Sequence, residues 1–223
     1  MSHPVRERRP ALPTDFVAGN VYDKYRTGNP LHRALMKRFL ACARELAAGA
    51  GPRRVLEVGC GPGDLAGRLF GSASGNDGRA VDYVGTDASP QEVAKAQASY
   101  PGLSFSTASA YELPFDDGSF DLVVACEILE HLDDPDRCLR ELQRVSSGHL
   151  LVSVPWEPVW RLMNLARGAY LARWGDTPGH LQHFSRRRLR RLVSSRFDLV
   201  AERHPFPWTM LLAQKRGQTP LQL

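Results

Sequence analysis

The sequence predicts an α/β fold: a doubly wound, mostly parallel sheet of seven strands with helices on both faces. Three observations predict it. Short apolar, partly β-branched runs alternate with stretches of helical period. The first run, Val55-Leu56-Glu57-Val58, passes straight into a glycine turn, Gly59-Cys60-Gly61-Pro62-Gly63, and then into a helical stretch. The 223 residues, 43% hydrophobic and 24% charged, have the composition of one soluble domain with a real core.

Residues 1–20 read as a flexible tail; the stretch from Met1 to Pro10 is basic and proline-containing, with no apolar run of a secretory leader behind it. Tyr22, Asp23, Lys24, Tyr25 and Arg26 form a polar-aromatic cluster. Asn29-Pro30 opens a helix as cap and first residue. Leu31, Leu35, Phe39, Ala43 and Leu46 repeat at helical spacing, and Gly49 ends the run.

The strand at 55–58 is apolar enough to be central in a parallel sheet. Glu57 inside it is costly without a partner, which backbone N–H groups or a positively charged ligand would supply. Gly59, Gly61 and Gly63 allow backbone angles and close ligand approach that side chains would block. Their alternate spacing differs from the dinucleotide fingerprint, which has a two-residue gap before its last glycine. The helix from Asp64 to Phe70 points its N-terminus back at this turn.

Residues 71–80 are a glycine-serine loop. The second strand, 81–86, ends at Asp87, and Ser89-Pro90-Gln91-Glu92 starts a helix. Asp87 and the adjoining Ala88 thus lie at the carboxyl edge of the sheet, where open α/β folds bind ligands and where a carboxylate accepts two ribose hydroxyls. The third strand is 103–107 and the fourth 120–125, followed by Cys126-Glu127-Ile128-Leu129-Glu130-His131-Leu132. Asp134-Pro135 opens a helix with Leu139, Leu142 and Val145 inward, and 149–154 is the fifth strand. A helix is expected over 156–171, a breaker at 175–179, and a helix capped by Ser185 with Phe184 and Leu189 as its staple. The sixth strand, 197–203, puts Phe197, Leu199 and Ala201 on one face; 208–213 is the seventh, and 215–223 a loose tail.

Several classes are set aside. No apolar run nears the ~20 residues of a membrane span. Cys42, Cys60, Cys126 and Cys138 form no C-x-x-C pair, so no metal or redox centre is expected. Reduced thiols and the absence of an export signal fit a cytoplasmic protein. A net charge of +5 does not by itself indicate nucleic acid.

Glu57-Val58-Gly59-Cys60-Gly61-Pro62-Gly63 resembles the first motif of the class I S-adenosylmethionine-dependent methyltransferases. Leu113-Pro114-Phe115, the acidic turn after it, Phe120-Asp121-Leu122-Val123-Val124, and the segment from Cys126 to Leu132 are similar to later motifs of that family. The resemblance runs from Tyr22 to about Val154. It implies a Rossmann-like sheet whose last hairpin is antiparallel, and one domain over 21–214 that binds S-adenosylmethionine. Within it, 21–50 is a helical lid and 156–185 an acceptor-pocket insert. It also implies that Glu57, Gly59, Cys60, Gly61 and Gly63 hold the methionine end of the cofactor, with Tyr25 folding over it. Where the family has aspartate for the adenine amino group, this chain has Ser109, shorter and uncharged. The adenine contact then passes to the Ala110 N–H, with Ser109 offering one hydrogen bond.

Glu127 and His131 fall near the transferred methyl; four-residue spacing puts both on one face of a helix. The implied reaction is in-line methyl transfer to a small-molecule O, N, S or C nucleophile, oxygen favoured. His131 is the candidate general base, and Trp156, His180 and His183 are candidate pocket residues. Other readings are an RNA or protein methyltransferase, a nicotinamide-dependent dehydrogenase and a non-catalytic binding protein. Against the first, no Asn/Asp-Pro-Pro-Tyr/Phe tetrapeptide follows the fourth strand and no RNA-binding module is appended. The glycine spacing and the segment from Glu127 to His131 argue against the second. Five arginines between Arg186 and Arg191 form either a solvated face or a site for an anionic acceptor. The acceptor itself and the oligomeric state are not written in the sequence.

Overall fold

A computed structural model describes residues 29–71 and 81–217. Seven strands form one sheet in the order β3-β2-β1-β4-β5-β7-β6. They are β1 (Arg54–Val58), β2 (Asp82–Asp87), β3 (Ser104–Thr107), β4 (Phe120–Cys126), β5 (Ser146–Pro155), β6 (Phe197–Arg203) and β7 (Trp208–Lys215). Strands β1 to β5 pair in parallel, and β7 runs antiparallel to both β5 and β6. The doubly wound sheet and its antiparallel final hairpin are as expected. Strand order reverses between β1 and β4, and it is beyond the carboxyl ends of strands at such a reversal that sheets of this kind take ligands.

Alternation along the strands builds two cores. Val55, Tyr83, Leu122, Val124, Leu151 and Met210 face α1 (Pro30–Ala50), while Leu56, Val123, Leu150, Val152 and Leu211 face α4 (Pro135–Val145) and α6 (Arg186–Val193). Asn29 caps α1 by accepting from the Leu31 and His32 N–H groups at 2.9 and 3.3 Å. Met36, Phe39, Ala43, Leu46 and Ala47 form its buried stripe, whereas Leu31 stays exposed. The helix passes through Gly49 and stops at Gly51, whose left-handed φ of 57° suits glycine. Residues 30–50 therefore form a core helix against β5 and β7. The remainder of the expected lid, with Tyr25, and the expected tail at 1–20 lie outside the described residues, as does nearly all of the glycine-serine loop.

The other helices are α2 (Asp64–Leu69), α3 (Pro90–Ser99) and α5 (Val159–Ala166). The single helix expected over 156–171 is cut short. Gly168 turns the chain at φ 71°, and a 3-10 turn, Leu171–Arg173, follows between left-handed Tyr170 and Trp174. Buried Asn164 holds the returning chain by donating to the Gly175 carbonyl at 2.7 Å and to the Thr177 hydroxyl at 3.1 Å. In β6 the register shifts between Leu199 and Ala201, so a bulge breaks the face predicted for Phe197, Leu199 and Ala201 and leaves Leu199 exposed. Strand β7 runs on to Lys215, whose ammonium donates to the Ser146 carbonyl at 2.7 Å. The start of the expected C-terminal tail is thus part of the sheet.

Ser185 caps α6 as expected, accepting from the Arg188 N–H at 3.2 Å, with Phe184 and Leu189 buried. The arginine run is largely committed within the fold. Arg186 lies 3.8 Å over the Trp156 ring, Arg188 lies 4.9 Å over Phe184, and Arg190 pairs with Glu202. Among the described residues no helix is long and apolar enough to cross a membrane.

Arg144 at the end of α4 ties that helix to the loop before β4. It donates to the Leu113 and Phe115 carbonyls and to Asp117 and Glu141, at 2.7–2.9 Å. Burial alone would raise the Glu141 pKa, but hydrogen bonds from Arg144 and the Leu113 N–H outweigh it and hold it below its ordinary value. A depressed carboxylate stabilises the fold above its unfolded-state pKa, and the contribution fades as pH falls through the folded-state value. Arg144→Ala should lower unfolding stability by about 1.5–3 kcal/mol, the scale of charge-assisted hydrogen bonds. Urea denaturation of Glu141→Gln should show a deficit at neutral pH that closes as the carboxylate of the parent chain becomes protonated in acid.

Candidate active site

At the reversal point β1 ends in three left-handed glycines, Gly59, Gly61 and Gly63, at φ 75°, 53° and 81°. Such angles suit glycine and strain most other residues. Strand β2 fixes the turn. The Thr86 carbonyl accepts from the Gly59 and Cys60 N–H groups at 2.7 and 2.9 Å. Asp87 accepts from the Gly61 N–H at 2.9 Å through one oxygen and from the Ser89 N–H at 2.8 Å through the other. Burial raises the Asp87 pKa, while the Ser89, Gly61 and Ala88 N–H groups pull it down and only partly offset the rise. Each carboxylate oxygen has a second lone pair, so Asp87 retains capacity for two hydroxyls. The six-residue α2 is too short to act as an anion-binding helix end.

Glu57 is buried, and its partner is a side chain: the Tyr83 hydroxyl donates to it at 2.6 Å. Gly85, in register with Glu57, makes room, since a Cβ there would lie 2.7 Å from that hydroxyl. Burial raises the Cys60 thiol far above its ordinary value, with Glu57 and Asp87 adding to the rise, so Cys60 lines the turn as a neutral thiol. The Ser109 hydroxyl accepts from the Tyr111 N–H at 3.2 Å and closes a local turn beside buried Ala110.

Glu127 and His131 do not share a helical face. Glu127 takes φ 60° directly after β4, and only a 3-10 turn, Leu129–His131, follows. That sharp break sends the two side chains to different partners. Glu127 accepts from the Ser153 hydroxyl at 3.0 Å and the Trp208 indole N–H at 2.7 Å. Trp208 in turn packs edge-on against Phe39 and tilted against Trp160. His131 places Nδ1 3.0 Å from the Gly179 carbonyl and meets the His180 ring edge to face at 5.1 Å. His183 belongs to a different pair, its Nε2 2.8 Å from Asp176. Trp156 carries Arg186 on its ring.

A family model described as a methyltransferase domain matches residues 56–152, the span from β1 through β5. Ajmaline N-methyltransferase of Rauvolfia serpentina is 37% identical over 103 residues, 44% of this chain and 33% of its own. A probable S-adenosylmethionine-dependent methyltransferase of Mycobacterium tuberculosis is 37% identical over 121 residues, 53% of this chain and 42% of its own. The chain thus spans from a third to about two fifths of the length of these relatives. Magnesium protoporphyrin IX methyltransferase of Synechocystis, solved with bound S-adenosylhomocysteine, superposes over 85% of this chain and 89% of its own, with a TM-score of 0.63 at 18% identity. A cyclase has the same fold, with a TM-score of 0.61 at 19% identity over 80% of each chain.

Motif reading passes over two residues that build the site, Tyr83 on β2 and Trp208 on β7. Tyr83 was detectable in principle: a tyrosine in a buried strand needs a partner for its hydroxyl, and so does a buried acid one strand away. Nothing local marks Trp208, which reaches Glu127 only through the β5–β7 pairing. Tyr83→Phe should cost about 1–3 kcal/mol of unfolding stability by withdrawing the donor from a buried carboxylate. Chemical denaturation of a Tyr83→Phe, Glu57→Gln double-mutant cycle should return a coupling energy with a magnitude of at least about 0.5 kcal/mol.

Proposed function

We propose that the chain binds S-adenosylmethionine in the crevice between β1 and β4 and transfers its methyl group to a small-molecule acceptor. The observation that carries the reading is the Asp87 carboxylate bonded to the left-handed glycine turn at the sheet reversal. It leaves two acceptor lone pairs on the carboxylate beside that turn. The residues present fit the cofactor: the glycine turn and Glu57 suit its methionine end, Asp87 and Ala88 its ribose, and Ser109 and Ala110 its adenine. Tyr25 belongs to the same assignment. When bound, the cofactor supplies an activated methyl on a positive sulfonium. The chain aligns the acceptor in line with that methyl and excludes water. Glu127, fixed by Ser153 and Trp208, places a carboxylate at the end of β4 facing this position.

His131 and His180 mark the acceptor end, with His183 and Trp156 further along the same insert. His131 acts on the acceptor oxygen. Relatives named as tocopherol O-methyltransferase and ajmaline N-methyltransferase are consistent with a small organic acceptor. The commitment of Arg186, Arg188 and Arg190 to partners within the fold favours a neutral acceptor over an anionic one.

Calorimetric titration should show S-adenosylmethionine binding and no binding of NAD; the reverse would replace the reading with a dehydrogenase. Asp87→Ala should weaken cofactor binding at least about tenfold, from loss of charge-assisted hydrogen bonds. Circular dichroism of that variant separates lost contacts from a loosened glycine turn. In a methyl-transfer screen over phenols, carboxylates, amines and thiols, His131→Ala should lower kcat by about 10²–10⁴ for an oxygen acceptor while cofactor affinity stays near that of the parent chain.

A further inference from the structure

Three side chains outside the glycine turn converge beyond the end of β4. Glu130 and His131 come from the 3-10 turn, and His180 from the loop before α6. One ligand atom from each lies within 4.8 Å of the others. The backbone builds this meeting. The Leu181 and Gln182 N–H groups both donate to the Glu130 carbonyl, at 2.8 and 3.0 Å, and so clamp the loop to the turn. Gly179 supplies the bend just before His180, at φ +90°, an angle that side-chain-bearing residues rarely adopt. His131 Nδ1 lies 3.0 Å from the Gly179 carbonyl, the kind of backbone contact that orients metal-binding imidazoles. Glu130 is 2% exposed, while both histidines are partly exposed, so the carboxylate forms the buried end of the set.

We propose that Glu130, His131 and His180 bind a divalent first-row cation such as Zn²⁺ or Mn²⁺. Two imidazole nitrogens and one carboxylate oxygen suit such ions; Ca²⁺ and Mg²⁺ take oxygen ligands throughout. Ligand atoms at bond lengths of about 2.0–2.2 Å sit roughly 3–4 Å apart, so side-chain rotation closes the set on an ion. Three protein ligands leave positions open, the mark of a reactive site rather than a structural one.

Binding of the cation stands independently of the methyltransferase reading, while its task rests on that reading. Holding the acceptor hydroxyl, the cation lowers the pKa of that group. The O–H proton leaves to water, the oxygen lone pair forms the bond to the methyl carbon, and the carbon–sulfur pair stays on sulfur. His131 then acts on the acceptor as a ligand to the ion and not as the proton acceptor itself.

Co²⁺ is the probe. Titrated into the full chain, it should give visible ligand-field bands and saturable binding. His131→Ala, His180→Ala and Glu130→Gln should each weaken its affinity at least about tenfold, whereas His204→Ala, whose imidazole pairs with Glu202, should leave it unchanged. Should Glu130→Gln fail to fold by circular dichroism, the His180→Ala variant carries the test, since His180 is on a partly exposed loop. Featureless Co²⁺ spectra of the parent chain, or parental Co²⁺ affinity in His180→Ala, would overturn the site. S-adenosylmethionine titrated into the same samples separates the two readings. Cofactor binding kept in His180→Ala while Co²⁺ binding is lost supports the site together with its task. Co²⁺ bound by a parent chain that ignores the cofactor keeps the site and overturns its task.

Discussion

The crevice depends on one carboxylate. Asp87 bonds the Gly61 N–H across to β1 and the Ser89 N–H ahead of α3, so a single side chain joins the loops after β1 and β2, beside the point where the sheet reverses. The Thr86 carbonyl adds two more bonds to the same turn. Three successive left-handed residues would otherwise be a loose stretch, since glycine loses more freedom on ordering than any other residue. Bracing from β2 converts it into a fixed surface. The same carboxylate is the group assigned to the ribose, which links rigidity of the turn to occupancy of the crevice.

Much of this frame is legible in the sequence because local rules decide it. Asn29-Pro30, Ser89-Pro90, Asp134-Pro135 and Ser185 all open helices, as cap chemistry dictates. The apolar runs become strands within a residue or two of their predicted limits, except that β5 starts three residues early, at Ser146. Failures occur where tertiary contacts override local signals. Asn164 folds back a stretch whose apolar pattern favours a longer helix. A bulge turns Leu199 out of the face that alternation assigns to it. At Glu127 helical spacing loses to a positive φ, and the acid and His131 part company.

The site divides along the same line. The half proposed for the cofactor lies at the ends of successive strands and carries recognisable motifs. The acceptor half is assembled across distance, with His180 brought to His131 by backbone bonds from Leu181 and Gln182, and Asp176 brought to His183. Spacing rules cannot find such sets, because the ligands arrive from different elements. That division also fits the arrangement in which a shared scaffold carries a common cofactor and the insert after β5 sets the acceptor.

The aromatic contact around Glu127 has an optical consequence. Trp160 and Trp208 lie with ring centroids 5.7 Å apart, close enough for their excited states to exchange energy, and Trp208 hydrogen-bonds the very carboxylate that closes the end of β4. Two of the four tryptophans of the chain thus form a built-in emitter whose brightness should follow the charge of the Glu127 carboxylate, without any label.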